Sequence, residues 1–214
     1  MPSPAVSSPF DQSRYQVRLD WGVAGLRRTA PADVVVVVDV LRFSSTVSAR
    51  VAAGEHVPLD DAARAVSRTG AVIAASASDS VVLLGCLRNA EAVAAAALAE
   101  QQRRGARTSI AVIAAGELSP DGQAELRFAV EDLLGAGAVV DALSRLGIDH
   151  TSPEAAAACE SFRGLGGAVR HLLTASGSGQ ELLDRGLRDD ALAAAQIGVD
   201  GVAPMLRDGV FTAA

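Results

Sequence analysis

Residues 33–46 read DVVVVVDVLRFSST, and the reading of this stretch decides the rest. Five consecutive valines are β-branched and apolar on every side. They suit a strand covered on both faces, as at the centre of a parallel sheet. The run ends in Asp39, followed by Arg42 and the hydroxyl triplet Ser44, Ser45 and Thr46. In parallel sheets ligands bind beyond the carboxyl ends of the strands. A carboxylate there is costly to bury unless it is paired or holds a cation. Arg42 could pair with Asp39 or fork onto a phosphate or sulfonate. The hydroxyls and N–H groups that follow would sit at a helix N-terminus, which favours an anion. Two readings stay open here: a combined cation and anion site, or a buried Asp39–Arg42 ion pair with the serines as caps.

Outward from this strand, helical and extended patterns alternate. YQVRLDW (residues 15–21) alternates in polarity like a half-exposed strand. AVIAA (71–75) and VVLLG (81–85) read as buried strands, and HVPL (56–59) as a short edge strand because of Pro58. TSIAVIAAG (108–116) reads as a strand running into a glycine. DDAARAVSR (60–68) reads as a helix. Asn89 is placed to cap AEAVAAAALAEQQRR, whose arginines fall where the helix dipole favours them. Residues 125–147 form a long helical pattern with Gly135 and Gly137 inside it. Each costs about 1 kcal/mol relative to alanine, which implies close packing against another element. Ser152 before Pro153 opens a further helix, SGQE (178–181) has the capping-box pattern, and GVAPMLRDGVF (201–211) reads as strand, turn, strand. The pattern is that of an α/β protein, a layered α/β/α arrangement around a largely parallel or mixed central sheet. Residues 1–14 are expected to be a disordered leader and residues 15–214 a single domain.

Composition narrows the function. Half of the 214 residues are hydrophobic and 3% are aromatic, so the core must be aliphatic. All 19 basic residues are arginine. Without lysine, Schiff-base chemistry and a Walker-type phosphate loop are excluded. The net charge is -6 with no basic stripe, which argues against nucleic acid. The alanine-rich run at 90–99 is too short to span a bilayer, so no membrane partner is expected. Cys86 and Cys159 match no metal spacing and suit a reducing compartment. A cytoplasmic location is therefore expected, and the alanine-rich helical surface would suit a homodimer.

Several phosphate chemistries are also excluded. Asp-x-Asp phosphatases need an acid where Leu41 stands. The Cys-x5-Arg pattern fails at both cysteines, where Ala92 and Leu165 occupy the arginine position. Arg170-His171 is followed by Leu172 rather than glycine. Elsewhere, Glu131 and Asp132 are neighbours on a helix and point about 100° apart. One could meet a metal while the other bonds a nearby donor, or both could form an exposed acidic patch. Arg88 and Asn89 lie at a second helix start, as anion ligands or as a cap with a surface arginine.

Taken in order, VVVVVDVLRFSSTVSA, GCLRNAEAVA, FAVEDLLGAGAVVDAL, SGQELLDRGLRDDALAAAQIGVDGVAPML and RDGVF resemble the 2-phosphosulfolactate phosphatase (ComB) family. The resemblance covers most of the chain from about Tyr15 onward. It implies an α/β fold and Mg²⁺-dependent hydrolysis of a phosphate ester on a small sulfonated acid. Asp39, Arg42, Glu131 and Asp132 fall on the family's recurring polar positions. They are taken as catalytic, with Asp39, Glu131 and Asp132 as Mg²⁺ ligands. Ser44, Ser45, Thr46, Arg88 and Asn89 are taken as substrate-binding. The chain is a shortened, divergent version: between residue 68 and Cys86 it lacks a glycine-rich loop and an Asn-Gly element of typical members. The alternative is a non-catalytic small-anion-binding or assembly protein that has lost active-site loops.

Overall fold

The computed structural model describes residues 8–60, 69–77, 79–118 and 125–214. The valine run forms β2 (Val34–Val38), buried at every residue. It lies between two parallel neighbours, β4 (Val81–Gly85) and β5 (Ile110–Ala114), and β1 (Val17–Trp21) runs parallel outside β5. Beyond β4 the sheet turns antiparallel through β8 (Pro204–Arg207), β9 (Val210–Ala213) and β3 (Val57–Pro58). The strand order is β1-β5-β2-β4-β8-β9-β3. The largely parallel, mixed-edge sheet expected from the pattern is present, with Pro58 on the edge strand where its missing N–H does no harm. Asp208 and Gly209 both take positive φ between β8 and β9, as a two-residue hairpin turn requires.

Period-two alternation divides the valines between two cores. Val34, Val36 and Val38 pack on one face against α4 (Ala90–Arg104), α5 (Val130–Arg145), α6 (Pro153–Leu165) and α7 (Val169–Ala175). Val35 and Val37 pack on the other face against α2 (Phe43–Ala52) and α3 (Gly70–Ser76), with Val23 and Leu26 of α1 (Gly22–Arg28) at its margin. The short helices α8 (Gly177–Asp184) and α9 (Arg188–Ala194) follow α7. A further small hairpin, β6 (Glu117–Leu118) with β7 (Leu126–Arg127), leaves the end of β5.

Several local expectations change. AVIAA is not a strand but most of α3. A short apolar run has no period that separates a buried strand from a buried helix, and its alanines favour the helix. The 125–147 pattern becomes helical only at Val130, because Leu126 and Arg127 pair with β6. YQVRLDW alternates as read, yet its polar side is buried too. Arg18 is roofed by the carbonyls of Tyr15, Ala30 and Pro31, and Asp20 is held bidentately by Arg28. In α8 the cap is Ser176, whose hydroxyl accepts from the Gly179 N–H, two residues before the Ser178 expected. Ser152 caps α6 as expected, with Pro153 at its first position. Within the expected leader, residues 9–11 form a 3₁₀ turn and the Gln12 amide bonds both backbone groups of Leu19. The helix read at residues 60–68 lies, from residue 61, outside the described residues.

The two glycines of α5 have the packing role their cost implied. A Cβ on Gly135 would lie 2.5 Å from Val40 Cγ2, and one on Gly137 only 2.1 Å from the Ala158 carbonyl oxygen in α6. Gly137→Ala is therefore expected to destabilise the protein by about 1–3 kcal/mol, as overpacking does. Gly164→Ala, whose Cβ would meet nothing within 4 Å, should be neutral or slightly stabilising. Urea unfolding of the two variants checks this contrast.

Candidate active site

Asp39 leaves the carboxyl end of β2 and turns its carboxylate between two helix starts. Its Oδ1 accepts from the N–H of Phe43, the first residue of α2, at 3.3 Å. Its Oδ2 accepts from the N–H of Gly70, the first residue of α3, at 3.2 Å. A Cβ at Gly70 would lie 2.5 Å from that same oxygen, so only glycine allows the approach. The anion favoured at the start of α2 is thus Asp39 itself. The Ser44 hydroxyl donates to the Val37 carbonyl and accepts from the Asp39 N–H. The Ser45 hydroxyl donates to the Val40 carbonyl. Both serines hold the turn after β2 rather than presenting hydroxyls outward, and half-buried Thr46 sits one residue further into the helix.

The distant acidic pair arrives at the same place. Asp132, in the first turn of α5, accepts from the Val40 N–H at 2.7 Å and from the Gly116 N–H at 2.9 Å. It ties α5 to the ends of β2 and β5 together. Glu131 is 2% exposed, and its Oε2 is buried without any hydrogen-bond partner. None of the ion pairs among the described residues involves Glu131 or Asp132. The pair is therefore no exposed acidic patch. One carboxylate bonds backbone donors while the other keeps an oxygen in reserve.

Arg42 lies beside this cluster but reaches outward, its Nη1 2.5 Å from Asp190 Oδ2 in α9. The Arg88 and Asn89 side chains are occupied elsewhere. Arg88 grips Asp200 with Nε and Nη2, both at 2.8 Å, and gives Nη1 to the Ala193 carbonyl and to Gln196. Asp200 also accepts from the Ser48 hydroxyl. Asn89 is 1% exposed and does not cap α4 with its side chain. Its Oδ1 accepts from the Cys86 N–H, and its Nδ2 donates to the Leu84 and Val202 carbonyls. The loop after β4 thus fastens the carboxy-terminal segment. Cys86 is fully buried beside it, its thiol pushed up to about 11 by burial, in keeping with packing as a small apolar group.

Three site residues escaped the sequence reading. Glu117 of β6 accepts at Oε1 from the Ser178 N–H at 2.7 Å and from the Ser178 hydroxyl, at the start of α8. Arg127 of β7 lies 3.2 Å from the other Glu117 oxygen. The Glu117–Ser178 contact joins segments about sixty residues apart and leaves no local signature.

Electrostatics confirm the crowding. Burial first, then the charges of Asp39 and Glu131, push the Asp132 carboxyl well above the usual carboxylate range, against the Val40 and Gly116 N–H groups. Burial first, and then the Glu117 charge, raise the Glu131 carboxyl, opposed by the Ser178 and Ser176 hydroxyls. Ser178 has one hydroxyl proton and gives it to Glu117, so it serves Glu131 only by turning away. A surface groove of about 650 Å³ lies elsewhere, lined by alanines of α4 with Met205 and Arg207 of β8. It contains none of these carboxylates.

The chain is an α/β protein with a buried acidic cluster at the carboxyl ends of its parallel strands, the end at which such sheets bind their ligands. The family model for 2-phosphosulpholactate phosphatase matches residues 66–209. The chain belongs to that family of phosphoric monoester hydrolases. Glu117, Arg127, Glu131, Asp132, Ser178 and Asp190 lie inside the matched span, whereas Asp39 and Arg42 precede it. No described helix is long and apolar enough to cross a membrane.

Two expected outcomes follow from the geometry. Because both raised carboxyls bind protons more tightly folded than unfolded, stability in EDTA should fall as pH rises above about 4 toward their folded values. Glu131→Gln removes one buried charge and should raise the melting temperature at pH 8 by about 2–4 °C, as ~1 kcal/mol does in a chain of this length. Thermal melts of both proteins across pH 4–8 check the slope and its flattening in the variant. Arg88→Ala should lower stability by about 3–5 kcal/mol by leaving Asp200 buried without its partner. Urea unfolding reads that loss directly.

Proposed function

We propose that the chain is a Mg²⁺-dependent phosphatase acting on a small phosphorylated, sulfonated hydroxy acid such as 2-phosphosulfolactate. The observation that carries this reading is the unpartnered, buried Glu131 Oε2, next in the chain to Asp132, which itself lies within the field of Asp39. Crowded carboxylates in a low-dielectric site are stabilised by protons or by a cation. The donor set fits Mg²⁺, which takes oxygen ligands, needs one or two carboxylates and keeps several waters. Asp39, Glu131 and Asp132 are the residues that would hold it. Among the described residues no three acidic, histidine or cysteine side chains form a ready cage, so water would complete the shell. When bound, the ion would supply charge neutralisation at the phosphoryl oxygens.

The chain's own groups divide the remaining work. Arg42 offers its guanidinium nitrogens other than the one on Asp190 to the phosphate. Asp39 is fixed by the Phe43 and Gly70 N–H groups, so it enters the reaction already oriented. Asp132 holds the β2 and β5 ends in register beneath the reacting group. Glu131 Oε2, buried and without a hydrogen-bond partner, is the oxygen that would orient the attacking water. The new bond joins water oxygen to phosphorus, the bond from phosphorus to the ester oxygen breaks, and the proton lost by the water is balanced by one that the leaving alkoxide takes from solvent. A cytoplasmic location and a homodimer, the latter through the alanine-lined groove, belong to the same reading.

The test is phosphate release from 2-phosphosulfolactate with Mg²⁺ and with EDTA. Metal-dependent turnover is expected, and Asp39→Asn should lower it by about 10³-fold or more, the scale of losing a preorganised charge at the reacting centre. Binding of sulfolactate without turnover of any phosphate ester would reassign the chain to a small-anion-binding scaffold. Full activity in Asp39→Asn would remove Asp39 from the mechanism.

A further inference from the structure

The phosphate accounts for only one charged end of a phosphorylated, sulfonated hydroxy acid. The other end needs a cation, and the structure withdraws one candidate: Arg88 is committed to Asp200, Ala193 and Gln196. Arg127 is placed differently. Its single ion-pair contact is Nη1 to Glu117, its other nitrogens have no partner among the described residues, and its side chain is 56% exposed. Glu117 is in turn fixed by the Ser178 N–H and hydroxyl, and its charge acts on Glu131. Arg127, Glu117 and Ser178 therefore form one bonded chain, and the Glu117 charge is felt at the Glu131 carboxyl, whose Oε2 is buried and unpartnered. Gly177 leaves the space beside it open. A Cβ there would lie 3.2 Å from Glu117 Oε2 and 3.5 Å from Arg127 Nη1.

Resting on the phosphatase reading, we propose that Arg127 binds the non-reacting acidic group of the substrate and so determines specificity for phosphate esters with a second strong acid. Glu117 is the positioning residue that holds the guanidinium beside the acidic cluster, and Ser178 holds Glu117. A guanidinium anchored at one nitrogen keeps an edge for two parallel bonds to a sulfonate or carboxylate. A Cβ at residue 177 would crowd the Glu117 carboxylate, and the ion pair would have to give by a few tenths of an ångström to admit it.

The experiment compares kcat/KM of the wild type and Arg127→Ala on 2-phosphosulfolactate, 2-phospholactate and phenyl phosphate. Loss of a charge-assisted contact should cost about 10–100-fold more on 2-phosphosulfolactate than on phenyl phosphate. Where 2-phospholactate loses as much as 2-phosphosulfolactate, the group bound is the carboxylate; where it loses no more than phenyl phosphate, it is the sulfonate. An equal loss on all three overturns the proposal and leaves the phosphatase reading intact. Should the wild type turn over none of them, the phosphatase reading fails. Calorimetry with sulfolactate then decides the inference, because binding present in the wild type and lost in Arg127→Ala supports it. No binding, or equal binding, overturns it. Arg127→Lys and Gly177→Ala repeat the comparison if Arg127→Ala does not fold. Both should lose discrimination, and unchanged discrimination in both overturns the proposal.

Discussion

The architecture of the strand ends depends on one carboxylate. Asp132 bridges the Val40 N–H beyond β2 and the Gly116 N–H beyond β5, and so locks the start of α5 over two adjacent strand ends. Both bonds are buried, where an unmade partner is costly. Gly135, one turn further along α5, brings the helix onto Val38 and Val40 without a side chain between them. Sheet and helix therefore meet at a fixed height, and Glu131 is carried inward with its neighbour. The adjacency of the two acids separates their duties: each Asp132 oxygen accepts one backbone N–H, and Glu131 keeps an oxygen without any partner.

The same logic applies around the pocket. Asp39 takes the N–H groups that α2 and α3 would otherwise present to a ligand. Ser44 and Ser45 take the carbonyls that a strand end would leave unmet. These groups hold the local shape, while the groups that remain for chemistry stand at its edges. A carboxylate cluster raised by burial and mutual repulsion costs stability, and groups perturbed in this way gather at functional sites.

Much of this was legible from the residues. The valine run, VVLLG and IAVIA have the continuous apolar character of central parallel strands, and two internal glycines announced the close approach of α5. Asp39, Arg42, Glu131 and Asp132 were named from position and resemblance, and the structure brings them to one end of the sheet. Sequence patterns failed where tertiary partners decide. AVIAA became a helix because nothing local distinguishes the two buried states. Arg88 and Asn89 were read as anion ligands because a helix start looks the same whether it faces solvent or a returning chain. The segment around Asp200 and Val202 returns there and takes their donors. Glu117 and Arg127 carried no signal, and Ser178 carried only that of a helix cap, since a hairpin and a helix start far apart in the chain must fold before they meet.

The pairing of Arg42 with Asp190 has a reach beyond the pocket. It is an ion pair between the turn after β2 and a short helix near the end of the chain, with both side chains partly exposed. Asp190 holds Nη1 alone and so sets the direction in which the rest of the guanidinium faces. The aim of that cation and the mooring of α9 are thereby one property, and amide protons of that helix become a natural reporter of both.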